Sequence, residues 1–203
     1  MASHVESFLK SDEEYITLQV SCLKIMDTYR FLPGKLSKHG ENLNPEDCHI
    51  LRSRGFLETP KSKAMKGIYP YDYIKTETDF SEIDEIMSQT SLPPQSSFFS
   101  KLNNQALLHT DYLTAKSNWD TWRCANMYDY SIKYLEIDVL ILADVFECFR
   151  KNCLENYKID PCYRVSLPSL TWQAGMHFTG VKLKYYKQDT KDIYDLNQAW
   201  YTW

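Results

Sequence analysis

Two side chains in the second half of this sequence could share a chemical task. Tyr134 and Asp138 are four residues apart within 128–156, YDYSIKYLEIDVLILADVFECFRKNCLEN, a stretch without Pro or Gly. At about 3.6 residues per turn, that spacing puts both on the same side of a helix, one turn apart. The carboxylate directly precedes the apolar run VLILADVF. It therefore stands at the mouth of a hydrophobic face, where a metal-binding acid would be placed. The plain alternative is a surface Asp beside a half-buried Tyr, because such pairs arise often by chance.

The element that must position this pair is the helix itself. Val139, Leu142, Val145, Phe146, Phe149 and Cys153 recur at spacings of three and four and predict its core-facing side. Just upstream, 111–127 carries Trp119 and Trp122 at helical spacing. These predict a second helix packed on the first, with both tryptophans in the core.

Nearer the N-terminus, YITLQV (15–20) alternates polar and apolar residues and reads as a strand, and LKIM (23–26) as a second. LPGKLSKHGENL follows, with Pro33 and Gly34 predicting a turn into a short helix. In 66–74, KGIYPYDYI, Gly67 and Pro70 fix the backbone, while Tyr69, Tyr71 and Tyr73 alternate as along an extended edge segment. By itself Lys66 is an exposed lysine before a tyrosine-rich loop. Residues 76–98 are acidic and then Ser/Pro-rich, which suits a surface insertion rather than a domain boundary.

A net charge of −4 and a pI near 5.7 exclude a uniformly basic nucleic-acid coat but allow a local basic groove. Fifteen Tyr and five Trp could stack on bases or simply pack. Six Cys without a CxxC pair suit reduced thiols and argue against zinc or a disulfide scaffold. The sequence contains no apolar run of the ~18–20 residues that span a bilayer, and its N-terminus has no targeting character. A soluble, intracellular protein with no membrane partner is expected.

In this order, the motifs resemble those of protein-primed family B DNA polymerases from viruses, linear plasmids and self-synthesising transposons. Tyr134-Leu-Glu-Ile-Asp138 with VLILADVFECFR is similar to their third exonuclease motif. KGIYPYDYI resembles their KG-x-x-PYEY box, and LPPQSSFFSKL (92–102) their LPP-x-x-x-FFS-x-L segment. LKIMDTYRFLPGKLSKH looks like the piece that follows the second exonuclease motif. YKIDPCYRVSLPSLTW (157–172) resembles the passage from exonuclease to polymerase domain, with Ser169 where the family has Gly. The residues from Leu183 onward look like the opening polymerase helices. The likeness spans residues 15–195.

The resemblance implies an α/β fold. Residues 1–157 would be the C-terminal part of a ribonuclease H-like 3′–5′ exonuclease domain, and 158–203 the first helices of a family B polymerase domain. It assigns metal binding to Asp138, placement of the attacking water to Tyr134, and charge neutralisation at the scissile phosphate to Lys66. Thr28 and Tyr29 would hold the single-stranded primer end, with Tyr29 in place of the usual Leu. Such an exonuclease needs four carboxylates around two Mg²⁺ or Mn²⁺ ions, and of these the sequence offers Asp138 alone. The expectation is therefore a fragment of a DNA-directed DNA polymerase acting in replication, either a truncated gene model or a decayed copy. By itself it would bind no metal and be catalytically silent. In the complete enzyme the partners are DNA, dNTPs and a terminal priming protein. The alternatives are a non-catalytic DNA- or protein-binding remnant of a transposon or virus polymerase, and an unrelated structural α/β domain.

Overall fold

The computed structural model describes residues 5–11, 14–57, 66–74 and 80–183. By its contacts the chain forms two compact units, one of Met1–Phe31 with Cys153–Trp203 and one of Leu32–Asn152. Together they contain helices and a small antiparallel sheet, so the chain is mixed α and β.

The first unit holds a three-stranded sheet in the order β1 (Val5–Ser11), β2 (Glu14–Val20), β3 (Leu23–Met26). β2 and β3 were expected; β1 had no turn or alternation signal strong enough to mark it. The β2–β3 hairpin pairs Val20 with Leu23 across a two-residue loop, and Ser21 takes the positive φ (56°) that such tight loops require. In the same unit Lys24 Nζ donates to the Cys162 carbonyl at 2.8 Å. The 3-10 turn Pro161–Tyr163 is capped by Asp160, which accepts from the Cys162 N–H at 3.0 Å. Helix α7 (Leu167–Thr179) has Pro168 in its first turn and ends on Gly180 at φ 66°, the left-handed closure that favours glycine.

The second unit is built on α6 (Met127–Tyr157) as far as Asn152, and the helix limits match the expected helix to within a residue at each end. α1 (Leu36–Glu41) forms after the Pro33–Gly34 turn, as its sequence predicts, and α2 (His49–Ser53) follows. Leu43, Cys48 and Leu51 from this region bury against Ile137, Ile141 and Val145 of α6. The core-facing side of α6 differs from expectation. It runs through Met127, Tyr130, Tyr134, Ile137, Ile141 and Val145, whereas Val139 is 57% and Leu142 39% exposed. Two apolar stripes coexist on this helix, and the buried one is disguised by its tyrosines and by the buried Asp144. Of the expected set, Val145 and Cys153 are buried, and Phe146 and Phe149 are half-buried.

The tyrosine-rich box is extended only from Lys66 to Pro70; Tyr71–Ile74 then turns into the short helix α3. The expected alternation stops there because Pro70, with its fixed φ, suits the start of a helix. The insertion carries α4 (Phe80–Ser88), and the Gln89 carbonyl after it accepts from the Met127 N–H at 2.8 Å, supporting the first turn of α6. α5 (His109–Thr121) and the residue that caps it bring Trp119 and Trp122 onto the Tyr130 ring, at 5.6 and 5.4 Å between centroids; both are half-buried rather than in the core. Among the described residues, no helix is long and apolar enough to cross a membrane.

Candidate active site

Three tyrosines tie the 66–74 segment to α6 and so bring Lys66 to the helix. Tyr130 donates its hydroxyl to the Ile68 carbonyl at 2.6 Å. Tyr69 shares a 2.7 Å hydrogen bond with Ser131, and Tyr71 one of 2.5 Å with the Tyr134 hydroxyl. The rings reinforce this order: Tyr69 stacks on Tyr134 at 4.7 Å, and Tyr71 meets Tyr134 edge-on at 6.0 Å. Such offset and edge contacts are the preferred aromatic geometries. Gly67 leaves room for the backbone to lie against Tyr134.

Lys66 Nζ consequently stands 3.3 Å from Asp138 Oδ2 and 5.9 Å from the centre of the Tyr134 ring. The three residues singled out in the sequence from two distant stretches meet at one place. Tyr134 itself is only 5% exposed. Burial first, then its hydrogen bond to Tyr71 and the charge and hydrogen bonding of nearby Asp138, push its phenol well above the ordinary value. It is therefore a neutral hydroxyl, able to donate one hydrogen bond and accept others.

Asp138 presents an unusual pair of oxygens. Oδ2 faces Lys66, while Oδ1 is buried with no hydrogen-bond partner. Buried carboxylate oxygens are nearly always satisfied, so an orphan asks for a further group. A hard divalent cation, which takes oxygen ligands, fits that need. Asp138 fits as one ligand of such a site, not as the whole of it: among the described residues, no group of three or more His, Cys, Asp or Glu is placed to hold a metal.

Thr28 and Tyr29 lie in the sheet-bearing unit, on the 3-10 turn Thr28–Arg30, and Lys66, Tyr134 and Asp138 lie in the other. Asp27 caps that turn by accepting from the Tyr29 N–H at 3.0 Å, which leaves the Tyr29 ring exposed and Thr28 half-buried. The sequence reading missed Tyr71 as the hydroxyl partner of Tyr134, and it missed Asp144. The Asp144 carboxylate is 1% exposed and accepts from the N–H groups of Ile50 and Leu51 at 2.9 and 3.0 Å, capping α2 from across the core. A lone carboxylate inside VLILADVF was the available signal, since an acid in an apolar run must find donors.

No curated protein and no solved structure matches the chain. The family model for DNA polymerase type B, organellar and viral, matches residues 5–202. That span takes in nearly the whole sequence, the converging Lys66, Tyr134 and Asp138 included, and the chain belongs to the organellar and viral type B DNA polymerases.

Proposed function

We propose that this chain serves DNA replication as the part of a protein-primed type B DNA polymerase that bears the third exonuclease motif. On this reading 1–157 are the C-terminal part of a ribonuclease H-like 3′–5′ exonuclease domain, and 158–203 open the polymerase domain. The observation that carries it is the buried, unpartnered Oδ1 of Asp138, beside a lysine and a neutral tyrosine hydroxyl. Asp138 would give one oxygen to Mg²⁺ or Mn²⁺. When bound, such ions supply an activated water and stabilise charge on the leaving oxygen. The Tyr134 hydroxyl, held by Tyr71, would be the group that orients the attacking water by a hydrogen bond. The Lys66 ammonium can exchange its carboxylate partner for a phosphate oxygen of the strand. Within the sheet-bearing unit, Thr28 offers a hydroxyl, and Tyr29 an exposed ring, to single-stranded DNA. dNTPs and a terminal priming protein are the further partners of the complete enzyme.

A single carboxylate does not hold a metal pair, so residues 1–203 alone are expected to leave single-stranded DNA undigested with either ion. The Lys66–Asp138 ion pair favours one second reading, a non-catalytic DNA- or protein-binding remnant in which lysine has taken the place of the cation. The test joins this chain behind a segment supplying an Asp-x-Glu strand and a further Asp, and follows digestion of a labelled single strand from its 3′ end. Asp138→Ala should remove nearly all activity and Tyr134→Phe about 10–10³-fold, with Lys66→Ala between them. Activity indifferent to Asp138→Ala overturns the exonuclease reading. A joined protein that binds the strand but never cuts it supports the remnant.

A further inference from the structure

In the α6-based unit, away from Asp138, the turn Thr90–Leu92 faces α5 across a cleft of about 360 Å³. Leu92, Tyr112 and Trp119 give it a half-buried apolar floor, and Thr90, Ser91, Lys116 and Asp120 an exposed polar rim. Its walls are fixed: the Tyr112 hydroxyl donates to the Pro93 carbonyl at 3.0 Å, and Phe98 meets the Tyr112 ring edge-on at 5.6 Å. Lys116 Nζ lies over the Tyr112 ring at 4.9 Å, so the rim's cation is poised above an aromatic face.

The geometry points to this cleft as a second contact for single-stranded DNA, taking one nucleotide unit a few positions from the 3′ end. The inference rests on the exonuclease reading above. Sequence-tolerant single-strand sites combine an aromatic platform with a cation for the backbone, and a flat ring slotted beside Trp119 with its phosphate on Lys116 satisfies both. Asp120 repels phosphate, so the backbone passes on the Lys116 side. Position within the unit supplies the independent support. Trp119 stacks on Tyr130 at 5.6 Å, Tyr130 on Tyr69 at 6.4 Å, and Tyr69 on Tyr134 at 4.7 Å. Three ring-to-ring steps through the core thus join the cleft to the Tyr134–Asp138 site in one packed body.

The experiment uses the full chain at low salt with dT₁₂ carrying 5-iododeoxyuridine at successive positions from the 3′ end. Photocrosslinks should map to Trp119 or Tyr112. Lys116→Glu should weaken binding about tenfold, and Asp120→Asn should tighten it two- to three-fold, effects of opposite sign that loss of fold does not produce. Both side chains are exposed, and unchanged melting temperatures verify the fold. A strand bound as tightly by Lys116→Glu, or crosslinked only elsewhere, overturns the cleft and leaves the exonuclease reading standing. Failure of the chain to bind dT₁₂ also overturns the cleft, and the digestion ranking then judges that reading separately.

Discussion

A Cβ on Gly67 would stand 2.8 Å from Cδ2 of Tyr134 and 3.4 Å from Cη2 of Trp122. The backbone of the tyrosine-rich box therefore lies directly on the ring whose hydroxyl is offered to the site. Tyr134 has little room to yield, being stacked at 4.7 Å on Tyr69 and hydrogen-bonded to Tyr71. Gly67→Ala should cost about 1–3 kcal/mol, the range for overpacking a well-filled contact. Gly175 is the contrast, since it lies inside α7 with nothing within 4 Å of an added methyl. There Ala should gain about 0.5–1 kcal/mol through helix propensity. Denaturant unfolding of both variants checks the pair, and equal effects would contradict the close approach at Gly67.

Ile141 and Leu142 are neighbours in sequence and opposites in the fold, 1% and 39% exposed. Ile141→Asp puts an unpaired carboxylate among Leu43, Leu51 and Ile137, which costs several kcal/mol and should abolish cooperative unfolding. Leu142→Asp should shift the midpoint little. Circular dichroism melts decide this, and a destabilised Leu142→Asp would show that the second apolar stripe of α6 is covered.

What could be read in the sequence followed the strength of local signals. The helix without Pro or Gly from 128 to 156 and the strands at 15–20 and 23–26 were legible because periodicity and turn residues agree there. The phase of α6 was not. Hydropathy scores Val139 and Leu142 above Tyr130 and Tyr134, yet the tyrosines are buried because each hydroxyl finds a partner, Ile68 O and Tyr71. Asp144 is buried for the same reason, with two backbone donors that come from a helix more than ninety residues away. Spacing placed Tyr134 and Asp138 on one side of the helix. That Lys66 joins them depends on hydrogen bonds formed only once the 66–74 segment docks, a non-local fact that no window of sequence contains.

Burial pushes the phenols of Tyr69, Tyr130 and Tyr134 above their ordinary value of 10.0, with the Tyr71 hydrogen bond and the Asp138 charge adding to the effect at Tyr134. Above that pH the unfolded chain releases protons that the folded chain keeps, so it binds fewer protons and stability falls as pH rises. The contribution of these groups is whole below pH 10.0 and shrinks beyond it. Melting temperature should therefore drop steeply once pH passes 10.0, with phenolate absorbance from these rings appearing together with unfolding. Tyr134→Phe should flatten the drop. An unchanged slope would mean that its hydroxyl is open to solvent.

The ion pair between Lys66 and Asp138 spans 3.3 Å, with side chains 32% and 19% exposed, and its two halves should respond unequally to removal. Lys66→Ala strips Asp138 of its cation while Oδ1 already lacks a donor, leaving a poorly solvated charge and costing about 1–3 kcal/mol. Asp138→Asn keeps the shape and removes the charge, and Lys66, the more exposed partner, can turn to water. That change should be close to neutral. In the double variant Lys66→Ala should then cost little, giving a coupling of about 1–3 kcal/mol in a double-mutant cycle by denaturant unfolding. The asymmetry follows from a carboxylate positioned for a ligand rather than for stability. Were Asp138→Asn as damaging as Lys66→Ala, the carboxylate would be a structural anchor, and its unpartnered oxygen would no longer argue for a cation.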